Sequence, residues 1–298
     1  MVFRKYCSNA TTFEVEDLSG ESYNQLMMSM LLCHTVEVTK EGKFVASSPE
    51  EKATLEVLKD AGYVFLGAEL NGTINVSLKG KRVQYKRMAV LPFDSYRKCM
   101  TVVVKEMGNE SSDSNIVDTD INNIEQREEA IHMFIKGADG VIIPACSSSV
   151  SACSSSVSDL SSVIDQTQII VNEYASQGFR TLVYGYKQLS RKEFDLFTYK
   201  LEQAKQSMVN RVKFVREAYR ELEAKDIQLL GATAIEDKLQ EDVAQTINKL
   251  GKAGITTWMV TGDKKETAVN LGYASGKYFL FYLESFHLMI NLYASSRS

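Results

Sequence analysis

Gly254 to Tyr273 reads GITTWMVTGDKKETAVNLGY, and the fold turns on how this stretch is read. Gly254 to Val260 has the make-up of a short buried strand, and Glu266 to Tyr273 that of an opening helix. Between them lies Thr261-Gly262-Asp263-Lys264. A hydroxyl, a glycine and a carboxylate at the carboxyl end of a parallel strand sit where open α/β sheets bind ligands. Glycine lets backbone approach a phosphate, a helix N-terminus offers free N–H groups, and an aspartate can hold a cation. An ordinary strand-to-helix turn looks the same, so the segment takes its meaning from its company.

Upstream, Ile227 to Ala234 reads as a strand and Gln240 to Lys252 as a helix. With Gly254 to Val260 they make a βαβ unit, which implies a parallel sheet and a right-handed crossover. The earlier part of the chain has a different grammar. Tyr63 to Leu70 and Thr73 to Lys79 flank Asn71-Gly72, a two-residue hairpin signal. Arg82 to Val90, Met100 to Lys105 and Ile131 to Lys136 continue with β-branched residues, as in an antiparallel meander. Residues 22–38 form a methionine-rich helical pattern, and a second helix opens at Ser48-Pro49-Glu50-Glu51. Serine at N-cap, proline at N1 and glutamate at N3 spell a capping box, with Gly62 placed to end that helix. Gly108 to Asn123 is a polar, acidic surface loop. ACSSSVS occurs twice, at Ala145 to Ser151 and Ala152 to Ser158, and two such short copies read as a low-complexity surface insertion. A helix over about 160–176, a strand at Phe179 to Tyr186 and one long charged helix over about 190–224 complete the pattern. The chain reads as an antiparallel α+β module followed by the start of a doubly wound module.

Composition limits the chemistry. The 298 residues allow about two domains, with 44% hydrophobic and 24% charged residues, as in an ordinary globular protein. The net charge of −4 comes without a basic block, which argues against nucleic acid as a partner. The five cysteines (Cys7, Cys33, Cys99, Cys146, Cys153) form no CxxC pair, and Met1 to Lys5 lacks the apolar core of a signal peptide. A reduced, cytosolic setting and a soluble chain are expected. Tyr278 to Ala294 is too short and too polar for a spanning helix of roughly 20 apolar residues, and Glu284, His287 and Asn291 form one polar stripe. An amphipathic helix is the expectation there.

Several distant segments carry candidate chemistry. Leu91-Pro92-Phe93-Asp94-Ser95-Tyr96-Arg97-Lys98-Cys99-Met100 sets an aromatic and two cations at a bend between strands. Phe93 can stack on a purine with Lys98 reaching a phosphate, or it can be a core ring beside solvated cations. Lys136-Gly137-Ala138-Asp139 ends a strand with a lysine that leans into a pocket or into solvent. Arg180, after Gly178, offers a rigid donor fork for phosphate or for a surface ion pair. Glu51 can accept from an adenine amino group as well as cap its helix. Asp237 lies where strand passes to helix and fits an N-cap. His34, His132 and His287 have no metal-ligand spacing and read as structural, so no metal ligands are assigned. No GxSxG, HExxH or Walker loop occurs.

Taken in order, CHTVEV (Cys33 to Val38), SSPEEKA (Ser47 to Ala53), LPFDSYRKCM, FIKGADGVI (Phe134 to Ile142), GFRTL (Gly178 to Leu182), LLGATAIEDKLQ (Leu229 to Gln240) and MVTGDKKETAVNLGYA (Met259 to Ala274) resemble the phospholipid-translocating class of P-type ATPases. The resemblance implies an α+β nucleotide-binding domain, an antiparallel sheet flanked by helices, over residues 9–228. That domain would be inserted into an incomplete α/β haloacid-dehalogenase-like (Rossmann-type) phosphorylation domain. Residues 1–8 would be its hinge strand, 229–274 its returning part, and 275–298 a divergent tail. It implies ATP and Mg²⁺ as cofactors, with Phe93 on adenine and Glu51 at the base edge. Lys98, Lys136 and Arg180 would line the pocket toward the phosphates. Thr261, Gly262 and Asp263 would hold the γ-phosphate and its Mg²⁺ region, and Asp237 would mark the hinge.

The departures are equally specific. The family's phosphorylated aspartate lies in an Asp-Lys-Thr stretch, and no Asp-Lys-Thr occurs here, so no catalytic residue is assigned and no turnover is expected. The later metal-binding motif, the actuator domain and the membrane helices are also missing. Lys52 stands where the family has glycine, and the ACSSSVS repeat is an insertion. The resemblance thus implies a cytosolic piece of an integral membrane pump, meeting phospholipid only through other parts, with an accessory subunit as a further partner of the parent. A standalone nucleotide sensor and a truncated gene product are the alternatives.

Overall fold

The computed structural model describes residues 2–5, 20–46, 48–107, 130–150, 157–224, 226–235, 242–261, 269, 272, 278–284 and 287–293. In chain order the elements begin with β1 (Val2–Lys5), α1 (Gly20–Leu32), β2 (Glu37–Val38), β3 (Phe44–Val45) and α2 (Pro49–Asp60). Then come β4 (Tyr63–Ala68), β5 (Thr73–Leu78), β6 (Lys81–Asp94), β7 (Cys99–Met107), β8 (Ile131–Gly137), α3 (Asp139–Val150) and α4 (Val157–Ser176). The remainder is β9 (Arg180–Leu189), α5 (Arg191–Gln206), α6 (Arg211–Glu223), β10 (Gln228–Ile235), α7 (Val243–Lys252), β11 (Thr257–Thr261), β12 (Tyr278–Glu284) and β13 (His287–Tyr293). Two compact units divide the chain. The first takes Met1–Glu16, Asp165–Leu182 and Ala232–Ser298; the second takes Asp17–Ile164 and Val183–Gly231.

The second unit holds β4 to β8 with Val183–Leu189 of β9 and Gln228–Gly231 of β10, in the strand order β10-β9-β8-β7-β6-β5-β4, antiparallel from β9 to β4. The central strands show why the sheet is a core element. β7 (CMTVVVKEM) is buried from Cys99 to Val104, and β8 (IHMFIKG) is buried at every residue except His132, so both are covered on both faces there. Such strands need cover on both sides. On one face, α1 brings Leu26, Met27 and Leu31 into the core. Just beyond α1, the Cys33 thiol donates to the carbonyls of Met100 and Phe134 at 3.6 and 3.7 Å. On the opposite face α6 reaches Thr101 of β7 through Glu223, where the Thr101 hydroxyl donates at 2.6 Å. The α5 and α6 pair is itself held by Phe194, Phe197 and Tyr219, with ring centroids 6.3 and 6.4 Å apart.

Several expectations are corrected in this unit. The first helix stops at Leu32 rather than Val38, because Thr35, Val36 and Val38 are β-branched and Glu37–Val38 pair with Phe44–Val45. The hairpin connection spans Glu69 to Gly72 rather than two residues, with Gly72 at φ 87 and its N–H bonded to Glu69 O. Only half of the capping box forms at α2: Ser48 Oγ accepts from Glu51 N, while the Glu51 carboxylate turns elsewhere. The single charged helix of 190–224 is two helices, broken at Ser207–Asn210, where Asn210 takes the left-handed conformation at φ 58. The first ACSSSVS copy is not a surface insertion: Ala145–Val150 continues α3, and Cys146 is buried. Most of the second copy and Gly108 to Asn123 lie outside the described residues.

In the first unit β1 runs parallel to the end of β10, Val2 opposite Ala232 through Lys5 opposite Ile235. Tyr174 packs edge-on against Phe179 at 5.6 Å. The expected βαβ unit is not what forms. β11 pairs antiparallel with β13, and β13 with β12, in a separate three-stranded sheet. The tail is therefore a pair of strands instead of an amphipathic helix. YFLFYLE and HLMINLY are rich in aromatic and aliphatic residues that pair across a ladder, Tyr278 opposite Tyr293. The polar stripe of Glu284, His287 and Asn291 was a spacing coincidence.

Gly185 shows how closely β9 packs. A Cβ there would lie 2.5 Å from Ile227 Cγ2 and 3.0 Å from Ile135 Cγ2. Gly185→Ala is expected to destabilise the chain by about 1–3 kcal/mol through overpacking. The check is a lowered urea midpoint with an unchanged slope.

Candidate functional site

Lys136 is the penultimate residue of β8, and its side chain rises on the face covered by α1 and α2. Lys136 Nζ donates to Glu51 Oε1 at 2.6 Å, and the two side chains are only 10% and 9% exposed. The second carboxylate oxygen of Glu51 accepts from the Thr35 N–H at 2.9 Å and the Thr35 hydroxyl at 2.8 Å. Burial alone would push the Glu51 carboxyl up; the Lys136 ammonium and the donors around it outweigh burial and hold it below its usual range. Burial likewise works against the Lys136 charge, and Cys33, Tyr184 and Glu51 together hold its pKa above the ordinary lysine value. The pair is ionised and mutually compensated.

His34 lies beside it. Val36 N–H donates to Nδ1 at 3.1 Å, so the ring proton is on Nε2, which donates to Leu31 O at 2.8 Å. The ring packs edge-on against Phe65 at 4.5 Å. Burial, then the nearby Lys136 charge, lowers its pKa to about 4. Burial also pushes the Cys33 thiol up to about 12, so it is a packed thiol rather than a nucleophile.

The bend between β6 and β7 meets the same end of the sheet. Asp94 pairs with Cys99, Cys99 with Gly137, and Met100 with Lys136. Lys98 is exposed, sits at φ 55, and accepts from Ala138 N through its carbonyl at 3.0 Å. A Cβ on Gly137 would come 2.5 Å from that carbonyl and 2.8 Å from Cys99 Cβ, so only glycine lets the bend close over β8. Phe93 ends up 64% exposed, which rules out the core-ring reading. The structure thus brings Glu51, Lys136, Lys98 and Phe93 to one end of the second unit's sheet. Arg180 opens β9 in the first unit and is half-buried. Thr261 ends β11 in that unit, while Gly262, Asp263 and Asp237 lie outside the described residues. Among the described residues no cluster of three or more His, Cys, Asp or Glu side chains is arranged to hold a metal.

Sequence reading missed the groups that hold the bend. Arg97 is buried, with Nη1 donating to Glu223 Oε1 and Nη2 to the Pro92 carbonyl at 2.6 Å. Its guanidinium lies 4.9 Å from the Tyr219 ring centroid. No local signal reveals this pairing, because Arg97 and Glu223 are 126 residues apart.

The family model for the P-type ATPase cytoplasmic domain N matches residues 22–242. The chain belongs to the P-type ATPase family. Within it, the sequence is 36% identical over 253 residues to the phospholipid-transporting ATPase IC of Homo sapiens, covering 84% of this chain and 18% of that protein. The Xenopus tropicalis protein of the same name is 35% identical over 248 residues, covering 82% and 17%. A probable phospholipid-transporting ATPase 12 of Arabidopsis thaliana is 32% identical over 272 residues, covering 87% and 20%. The chain spans about a fifth of the length of these relatives. Among the described residues of this P-type ATPase domain, no helix is long and apolar enough to cross a membrane.

Removing one partner of a buried ion pair leaves a stranded charge, at a cost of about 3–5 kcal/mol. Lys136→Met in this P-type ATPase domain is expected to fall near the lower figure, because Thr35 still serves Glu51. The double variant Lys136→Met/Glu51→Leu recovers most of the loss, read from urea unfolding of both. His34 adds a pH dependence. Its folded pKa is depressed from 6.5 to about 4, so the unfolded chain takes the proton first as pH falls. The stability it contributes is full above about 6.5 and is lost on the way to 4. Roughly 2 kcal/mol should disappear between pH 7.5 and 5. The slope difference between wild type and His34→Gln measures it.

Proposed function

We propose that this chain is the ATP-binding cytoplasmic portion of a phospholipid-transporting P-type ATPase. The observation that carries the reading is an exposed Phe93 ring held at the same sheet end as Lys98 and the Glu51–Lys136 pair. The match to cytoplasmic domain N and the likeness to phospholipid-transporting relatives supply the rest of the support. An open aromatic face beside an exposed cation fits a purine nucleotide. Phe93 stacks on adenine, Glu51 lies at the base edge, and Lys98 and Lys136 line the pocket toward the phosphates. Arg180, Thr261, Gly262 and Asp263 serve the phosphates and their Mg²⁺, and Asp237 marks the hinge. Thr261 and Asp263 would hold a Mg²⁺ brought by the nucleotide, which would offset phosphate charge.

The second unit is the nucleotide-binding domain, inserted into a phosphorylation domain to which the first unit belongs. The discontinuity of the first unit in sequence and the parallel pairing of β1 with β10 support that insertion. In the parent pump ATP phosphorylates an aspartate, with Mg²⁺ and lysines offsetting developing charge. This chain has no Asp-Lys-Thr sequence, and it binds ATP without releasing phosphate. Lipid, and any accessory subunit, meet other parts of the parent.

Stacking of a base on an aromatic is worth roughly 1–3 kcal/mol by alanine substitution. Phe93→Ala is therefore expected to weaken ATP binding by about 5- to 150-fold in calorimetry. Unchanged affinity removes Phe93 from the site. One observation favours a standalone nucleotide sensor: β11 takes its antiparallel partner from the tail strand β13, so the chain supplies its own edge. Limited proteolysis separates the readings. The pump-fragment reading expects rapid cutting beyond about residue 229 with the second unit surviving, and a protected tail favours the sensor.

A further inference from the structure

Phe93 is exposed, yet the residues on both sides of it are gripped. Before it, the Pro92 carbonyl accepts from Arg97 Nη2 at 2.6 Å. After it, the Asp94 carboxylate accepts from Arg216 Nε at 2.6 Å and Nη2 at 3.2 Å. The Tyr96 N–H donates to Asp94 Oδ1 at 2.9 Å, and the Lys98 N–H to the Asp94 carbonyl at 2.6 Å. Both arginines are tied to α6. Arg216 belongs to it, and Arg97 is bonded to Glu223 at its last residue and stacked over Tyr219. Arg97 is 4% exposed, so its charge faces no solvent and no ligand.

Such an arrangement is expensive for a surface bend. A buried guanidinium needs a carboxylate, and Glu223 answers both Arg97 and the Thr101 hydroxyl. A free hydrophobic ring on an unsupported bend would sample many orientations, and a base would have to order it on binding. With both flanking residues held from α6, the backbone that carries the ring is fixed beforehand.

Resting on the reading of Phe93 as the adenine-stacking group, we infer that Arg97 is a positioning residue. Through Glu223 and the Pro92 carbonyl it sets the Phe93 ring for the base, with Arg216 acting on the other side through Asp94. Arg97 touches no part of the nucleotide, so its loss falls on the base alone.

The test measures AMP and ATP affinities of the full chain by calorimetry for wild type, Arg97→Lys, Glu223→Gln and Lys98→Ala, with thermal melting of each. Arg97→Lys and Glu223→Gln are expected to weaken AMP and ATP by the same factor, about 5- to 10-fold, the lower part of what losing a stacked base costs. The AMP-to-ATP ratio then stays at the wild-type value. Lys98→Ala, by contrast, raises the ATP constant more than the AMP constant. Should Arg97→Lys fail to fold, Arg216→Lys is expected to give the same equal loss from the half-exposed side. Wild-type affinity in both Arg97→Lys and Glu223→Gln overturns the inference, as does a loss confined to ATP, which would mean action on the phosphates. Wild type binding neither nucleotide sinks the adenine site itself, and that failure is separate from the others.

Discussion

Burying the Lys136 ammonium is tolerable only because the Glu51 carboxylate meets it, and one layer of the second unit is arranged around that constraint. Glu51 must come from the start of α2, so the helix has to begin where it does. Ser48 at the N-cap and Pro49 at N1 make it begin there. The remaining acceptor capacity of Glu51 is filled by Thr35, which requires the chain to leave α1 at Leu32 instead of continuing as helix. His34 satisfies the frayed end of α1 from within the same turn, and Cys33 fastens it to the carbonyls of β7 and β8. A charge pair that contributes little net stability therefore fixes how two helices meet a sheet.

The opposite face follows a parallel logic with different residues. Arg97 and Glu223 form a second buried pair, and it joins the β6–β7 bend to the end of α6. Between the two pairs runs the sheet, with Gly137 allowing the bend to lie over the end of β8. The Glu51–Lys136 pair on one face and the Arg97–Glu223 pair on the other thus both lie at the end of the sheet where β6 turns into β7.

Much of this was legible in the sequence, for reasons that can be stated. The strands from Tyr63 to Gly137 announce themselves because Val102-Val103-Val104 and Ile131 to Ile135 are too apolar for anything but a covered strand. The α2 cap is spelled by three adjacent residues. Phe93, Lys98 and Lys136 were legible as candidates, although residue chemistry alone left each with a bland alternative until the exposure of Phe93 decided one of them. The clamp was not legible, since Arg97 and Glu223 find each other only after the sheet forms. The tail failed for another reason. In Tyr278 to Tyr293 the apolar residues are so dense that neither period stands out, and three polar residues at helical spacing outweighed the aromatic and aliphatic content that favours strands. The break at Ser207–Asn210 was hidden because the charged pattern runs on through both helices.

The described thiols of the second unit add a practical property. Cys33, Cys99 and Cys146 are reduced, packed and raised to about 12 by burial first of all. In the closed fold none of them offers a thiolate to an alkylating reagent. Each becomes reactive only when its own surroundings open, Cys33 with the α1 layer, Cys99 with the bend and Cys146 with α3. The described part of the second unit consequently carries native clocks for local opening of its own layers, with no probe added.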